Sequence, residues 1–268
     1  MNVLEQKMKF KKKISKVYKE TIFKLKKKIN LDKQILEITS LNELFNYFGT
    51  DKGTEVMNQY QKNPSKTDQK LIGHGYAQFY EKHLNIYKND KINILEIGTW
   101  KGASVAAFYH YFKNAIIFCI DKNFKFQFES NRVNFFNCDT ENFTDIKNLE
   151  KYFIEKKSES FEVIIDDGSH NYTDILNNFQ NFFKRIKPGG FYIIEDFNHY
   201  RLHSSYFNDK PDNAFDISEI FEFLLNKKNF KSEDLDHDFQ NYCFENISNI
   251  TIHKGIKDYS YIAFIKKK

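Results

Sequence analysis

Arginine is nearly missing from this chain. Only Arg132, Arg185 and Arg201 occur among 41 cationic residues, and lysine supplies the others. Bidentate contacts to bases and phosphates favour arginine, so the composition weighs against a nucleic-acid partner. Cysteine is scarce too. Cys119, Cys138 and Cys243 show no paired or metal-type spacing, which is the usage expected of a reduced, cytoplasmic setting. No apolar run approaches the ~20 residues of a membrane span. No apolar stretch precedes a cleavage-site pattern at the N-terminus, so no secretory signal is expected. What remains is a globular balance, with 41% hydrophobic and 29% charged residues over 268 positions. That excludes wholesale disorder and leaves room for one large domain with an appendage, or two small ones.

The charge is uneven. Residues 1–30 hold eleven lysines and two glutamates, a charge of +9 in a chain whose net is +5, so the other 238 residues carry −4. Within this head, Phe10, Ile14, Val17, Tyr18, Ile22, Leu25 and Ile29 recur at three- and four-residue steps, the stripe of an amphipathic helix. Three readings are open. The stripe docks on the body or on a second subunit; the helix attaches to an anionic membrane surface at the inner membrane face, where each lysine contributes about 1 kcal/mol; or it binds RNA.

Residues 31–90 read as a mostly helical segment, broken by the loop Phe48-Gly-Thr-Asp-Lys-Gly-Thr54 and the polar stretch Gln59 to Lys70. From residue 91 onward the texture changes. Five short apolar runs, Ile92–Ile97, Ala115–Ile120, Val133–Phe136, Phe161–Ile165 and Phe191–Ile194, have the length of buried strands. Helical patterns at Ser104–Phe112 and Tyr172–Ile186 separate some of them. Alternation of this kind predicts an α/β, doubly wound parallel sheet. Two last strands near Ile247–His253 and Tyr259–Ile265 are close enough for a hairpin, so the sheet is expected to end antiparallel.

Ile94-Leu-Glu-Ile-Gly-Thr-Trp-Lys-Gly-Ala-Ser104 runs strand, turn, helix. Gly98 and Gly102 let the backbone bend and approach a ligand, and the helix start aims N–H groups above the turn. The middle glycine of a dinucleotide fingerprint is missing, which disfavours a pyrophosphate and an NAD-linked oxidoreductase. Asp121 closes the second strand, where a carboxylate can accept both hydroxyls of a ribose. Asp139 closes the third, within reach of an adenine amino group. A nucleoside without phosphates suits this edge.

The fourth strand runs into Asp166-Asp-Gly-Ser-His170, and the fifth ends in Glu195-Asp196. Carboxyl ends of neighbouring parallel strands line one crevice, so Asp167, Glu195 and Asp196 are expected to converge. Three carboxylates repel one another unless a cation joins them. Hard oxygen ligands suit Mg²⁺, Mn²⁺ or Ca²⁺. His170 is open to three roles: a fourth ligand, a general base, or a residue that starts the next helix. His199, Tyr200, His203, Tyr206 and Phe207 are expected to line an acceptor cleft or to be core.

The glycine turn resembles the first motif of class I S-adenosylmethionine-dependent methyltransferases, over roughly Ile92 to Lys268. Asp166-Asp-Gly-Ser-His170 with Glu195-Asp196 narrows the resemblance to the macrocin-type, metal-dependent sugar O-methyltransferases. Phe48-Gly-Thr-Asp-Lys-Gly53, His74-Gly-Tyr76 and Tyr80 are similar to that family's upstream segment, although Thr54–Gly73 is longer than its usual spacing. The resemblance implies a Rossmann-like sheet of seven strands, and with the charge and periodicity of the upstream residues three regions are expected: a lysine-rich helix over 1–30, a helical segment over 31–90 and a catalytic domain over 91–268. It places Gly98, Thr99, Gly102 and Ser104 around the methionine part of S-adenosylmethionine, with Asp121 and Asp139 on the nucleoside. It implies Mg²⁺ or Mn²⁺ on Asp167, Glu195 and Asp196, His170 as base, and a sugar acceptor, free, lipid-linked or nucleotide-linked. A catechol-type acceptor and a non-catalytic, membrane-associated scaffold stand as alternatives. A homo-oligomer is also open.

Overall fold

Strand β1 (Asn93–Ile97) lies in the middle of a seven-stranded sheet, with β2 (Ile116–Asp121) on one side and β4 (Phe161–Asp166) on the other, both parallel to it. Beyond β2 comes β3 (Val133–Asn137), and beyond β4 comes β5 (Ile186–Glu195). The hairpin of β6 (Ile247–Lys254) and β7 (Tyr261–Lys267) completes the order β6-β7-β5-β4-β1-β2-β3. Only β7 runs against its neighbours, pairing antiparallel with β5 and β6. The computed structural model describes residues 14, 15, 17–56, 71–202 and 210–268. Phe10, His203, Tyr206, Phe207 and the whole of the stretch Gln59–Lys70 therefore lie outside the described residues.

The five predicted parallel strands and the hairpin are all present. The fifth is longer than its apolar run, because Ile186–Gly190 joins the ladder across a register shift opposite Phe161 and Val163. Helices cover both faces. On one face α4 (Phe143–Glu155), α5 (Tyr172–Phe182), α6 (Ile217–Leu225) and α7 (His237–Asn246) bury Phe153, Phe179, Phe221 and Phe239 with Ile164 and Ile194 of the sheet. On the other, α1 (Leu41–Phe48), α2 (Ala77–Leu84) and α3 (Ala103–Tyr111) share a core with Ile94, Ile117 and Ile193. Local chemistry sets the ends of these helices. Ser40 caps α1, Asn142 caps α4, and Asp216 with Glu219 forms a capping box on α6. Among the described residues no helix is long and apolar enough to cross a membrane.

Among the described residues, the segment before the sheet holds two eight-residue helices, α1 and α2. Among the described residues between 31 and 90, they are accompanied by short 3-10 turns at Leu31–Lys33 and Asn85–Tyr87 and a two-residue pairing of Glu55–Val56 with Leu71–Ile72. Gly49 adopts a left-handed conformation (φ 73°) that ends α1 and turns the chain inward. Phe45 of α1 then packs edge-on against Tyr80 of α2 and Phe108 of α3, so α1 and α2 belong to the sheet's own core.

The lysine-rich helix also departs from expectation. Residues 17–25 are helical, but the residue that anchors them is Phe23, packed on Phe124 and Phe135. Phe23 is not on the predicted stripe. Ile14, Val17, Tyr18, Ile22 and Leu25 are exposed instead.

Candidate active site

Strand order reverses between β1 and β4, the switch point at which open α/β sheets bind ligands. The backbone there is tightly set. Gly98 and Thr99 donate their N–H groups to Ile120 O, and Asp167 donates its N–H to Ile97 O. Gly98 has φ +85°, and a Cβ built on it would fall 2.0 Å from Asp167 O. Only glycine lets the two turns approach this closely. Asp121 pins the same turn from β2, since its carboxylate accepts N–H bonds from Trp100 at 2.8 Å and Asn123 at 2.6 Å.

A cavity of 340 Å³ opens above these turns. Gly98, Thr99, Ser104, Asp121 and Asp139 line it, as do Asp167 and His170. Gly102 does not. It caps α3 in a left-handed conformation, and its missing side chain makes room for the ring of Phe126. Its neighbours Lys101, Ala103 and Ser104 do line the cavity.

The two aspartates that close β4 divide. Asp166 faces the core, where Asn178 and Tyr192 donate to it, and burial pushes its carboxyl up to about 7. Asp167 faces the crevice. There the side chain of Lys52 lies between strands, with its Nζ 2.5 Å from Asp167 Oδ2 and 2.7 Å from Glu195 Oε2. Burial pulls an ammonium toward its neutral form, but the charges of Asp167 and Glu195 outweigh it and hold Lys52 well above its ordinary value. Tyr80 donates its hydroxyl to Glu195, and Tyr76 donates its own to Asp196. His74 Nδ1 lies 3.3 Å from Asp196 and 2.7 Å from Ser260 Oγ. Burial opposes ionisation of Asp196, yet the contact with His74 and the nearby imidazoles of His170 and His199 hold its carboxyl below the usual carboxylate range.

Asp167 and Glu195 therefore share one ammonium, which stands between them where the sequence suggested an ion, and Asp196 has partners of its own in Tyr76 and His74. A different group of donors is gathered more closely. Atoms of His170, Asp196 and His199 lie within 4.8 Å of one another. His170 Nε2 is also 3.7 Å from Asp167 Oδ1. Trp100 (φ 44°), His170 (φ 60°) and Asp196 (φ 53°) all take left-handed backbone conformations, strain of the kind that collects at functional sites. Of the aromatic residues expected in an acceptor cleft, Tyr200 is core, packed on Tyr172 and bonded to Asp216, while His199 belongs to the site.

Lys52, Tyr76 and Tyr80 had no role assigned from sequence. Their placement explains the two upstream motifs. Asp51 O and Lys52 O accept from His74 N and Tyr76 N at 2.6 and 2.8 Å, and Gly75 N donates to Gly53 O at 2.9 Å. A Cβ on Gly73 would strike Gly53 O at 2.1 Å. Each motif thus holds the other, and together they aim one lysine and two tyrosines at the crevice. Lysine is so common here that only its position between two glycines marked it.

Residues 95–197 match a family described as a methyltransferase domain. Over 130 residues the chain is 28% identical to demethylmacrocin O-methyltransferase of Streptomyces fradiae, covering 46% of this chain and 32% of that protein. It is 29% identical over 133 residues to L-olivosyl-oleandolide 3-O-methyltransferase of Streptomyces antibioticus, with the same coverage of 46% and 32%. The matched stretch thus spans about a third of these relatives' length. A solved structure of the MycE methyltransferase from the mycinamycin biosynthetic pathway, in complex with Mg and SAH, shares the fold at TM-score 0.59 and 21% identity, covering 85% of this chain and 54% of that one. Residues 95–197 thus carry a methyltransferase domain, and the chain is similar to the macrocin-type sugar O-methyltransferases and shares the fold of the MycE methyltransferase.

Proposed function

We propose that this protein transfers a methyl group from S-adenosylmethionine to a sugar hydroxyl, on a nucleotide-linked or surface-glycan acceptor, with a divalent cation at the crevice. One observation carries the reading: the glycine turn and the Asp167–His170 turn open into a single cavity. A cofactor held at one turn and an acceptor held at the other would then lie side by side.

Gly98, Thr99 and Ser104 would surround the methionine part of the cofactor, with Asp121 on the ribose and Asp139 near the adenine. Bound there, S-adenosylmethionine supplies an activated methyl group. The crevice also fits a divalent cation, because the Lys52 ammonium meets only Asp167 and Glu195, while Asp196 is gathered with the imidazoles of His170 and His199. Asp167, Glu195 and Asp196 are the proposed ligands, with His199 beside Asp196. A cation there stabilises charge developing on an acceptor oxygen. His170 takes the hydroxyl proton on its imidazole, and Asp167 orients that ring. Lys52 keeps Asp167 and Glu195 in place and buried, and Tyr76 and Tyr80 fix the other carboxylate oxygens. Alignment of acceptor and methyl group does the rest.

The test is mass spectrometry of reactions with a panel of nucleotide sugars and glycosylated acceptors, S-adenosylmethionine and Mg²⁺. A sugar should gain one methyl group. Transfer to catechols alone would replace the sugar reading. His170→Ala should lose about 10²–10⁴ in rate, the range for a general base, while Mn²⁺ binding is retained. Loss of Mn²⁺ binding in that variant would make His170 a ligand and overturn its role as base.

A further inference from the structure

We infer that the lysine-rich helix is a docking surface for an anionic lipid bilayer, with its apolar stripe turned outward to enter the interface. The helix is fixed to the body by its opposite side. Phe23 is 8% exposed and packs on Phe124 and Phe135 with ring centroids 5.5 and 5.2 Å away. At about 100° per residue, Phe23 points away from the middle of the line formed by Ile14, Val17, Tyr18, Ile22 and Leu25. All five are exposed, and Leu25 reaches 81%. A helix that merely covered the body would bury this stripe and expose Phe23's side. The structure does the reverse.

Charge decides what fits such a face. The first 30 residues carry eleven lysines and two glutamates. Lys19, Lys24 and Lys26 flank the stripe within the described helix and the turn that follows it. A second copy would bring an identical +9 segment against this one, and the two would repel. RNA would match the charge but leave five apolar side chains in water. An anionic bilayer accepts both, since apolar residues enter the headgroup–acyl boundary while lysines meet lipid phosphates and carboxylates. The body, at −4, is repelled by the same surface, so the helix side alone faces the lipid.

The test uses the full chain in co-sedimentation with phosphatidylserine–phosphatidylcholine vesicles and with pure phosphatidylcholine vesicles. Binding should need phosphatidylserine and weaken as salt rises. Leu25→Glu and Val17→Glu, both at exposed positions, should keep the fold and each lower vesicle affinity by about tenfold or more, as expected for losing one buried aliphatic side chain. Equal binding to both vesicle types, no binding to either, or unchanged binding by the stripe variants would overturn the inference. So would a dimer in light scattering that Leu25→Glu dissociates, which assigns the stripe to a second copy. RNA binding that survives Leu25→Glu, without vesicle binding, would assign the lysines to nucleic acid.

Discussion

Lys52 and Glu195, 143 positions apart in sequence, meet at 2.7 Å inside the crevice, and the same ammonium reaches Asp167. The upstream segment thereby places a positive charge among the carboxylates at the ends of β4 and β5. Removing it should be costly. Lys52→Met leaves Asp167 and Glu195 buried without their partner, and breaking a buried pair this way typically destabilises by about 3–5 kcal/mol. Mn²⁺ should restore part of that stability, because the ion replaces the missing charge. Urea denaturation with and without Mn²⁺ reads both effects. A variant as stable as the parent in the absence of metal would mean that the carboxylates do not depend on the lysine.

Gly98 and Gly189 both have positive φ, at +85° and +81°, but only Gly98 is crowded. Nothing lies within 4 Å of a Cβ built on Gly189. Gly189→Ala should therefore cost about 1–2 kcal/mol, the penalty for a left-handed L-residue. Gly98→Ala carries that penalty plus a collision with the Asp167 carbonyl, so it should destabilise more and abolish binding of S-adenosylhomocysteine. Thermal denaturation and calorimetry of the pair separate backbone strain from loss of the shared turn.

Asp121→Ala should weaken S-adenosylhomocysteine binding by roughly 1.5–3 kcal/mol, the range for a lost hydrogen bond to a charged group. Part of the effect is indirect, since the carboxylate also holds the N–H of Trp100. Asp121→Asn keeps one acceptor oxygen and should fall between the parent and Asp121→Ala. Calorimetric affinity that does not change in Asp121→Ala removes the residue from the cofactor site.

Away from the site, His83 and His253 face each other with Nε2 atoms 2.8 Å apart. Burial lowers His83 to about 4, aided by the charges of His253, Lys82 and Lys266. His253 is lowered too, by burial and by Lys82. The unfolded chain takes up a proton near the ordinary histidine value of about 6.5, which the folded pair refuses. Stability should then be level above that pH and decline as pH falls toward 4. His83→Gln should flatten the decline in urea denaturation run across this range. An unaltered slope would place its source in other groups.

The sheet was legible because its strands are apolar runs of the right length, and a buried parallel strand needs little else. The carboxylates at the strand ends were legible for the same reason, since strand ends in such a sheet share one crevice. Lys52 was not, because burial of a lysine depends on a loop closed by Gly53, Gly73 and Gly75, and no local pattern announces that closure. The lysine-rich helix misled in an instructive way. Periodicity finds an apolar face but does not say whether the body or something else will cover it, and here one phenylalanine on the polar side decided the orientation. Gly102 makes room for Phe126, a role not legible in the sequence, where a glycine that admits a ligand and one that admits a phenylalanine ring look alike.

The stretch that matches other methyltransferases, residues 95–197, begins well after Lys52, Tyr76 and Tyr80. The stretch matched as a methyltransferase domain is therefore smaller than the unit that is electrically complete. A fragment cut to the matched boundaries would retain Asp167, Glu195 and Asp196 and discard the ammonium and hydroxyls that quench them, so mutual repulsion would pry open the ends of β4 and β5. During synthesis the order is favourable: the lysine is made first and waits for the carboxylates. Circular permutation that moved residues 41–84 behind β7 would reverse that sequence of events, leaving the acidic edge exposed until the last helix arrived.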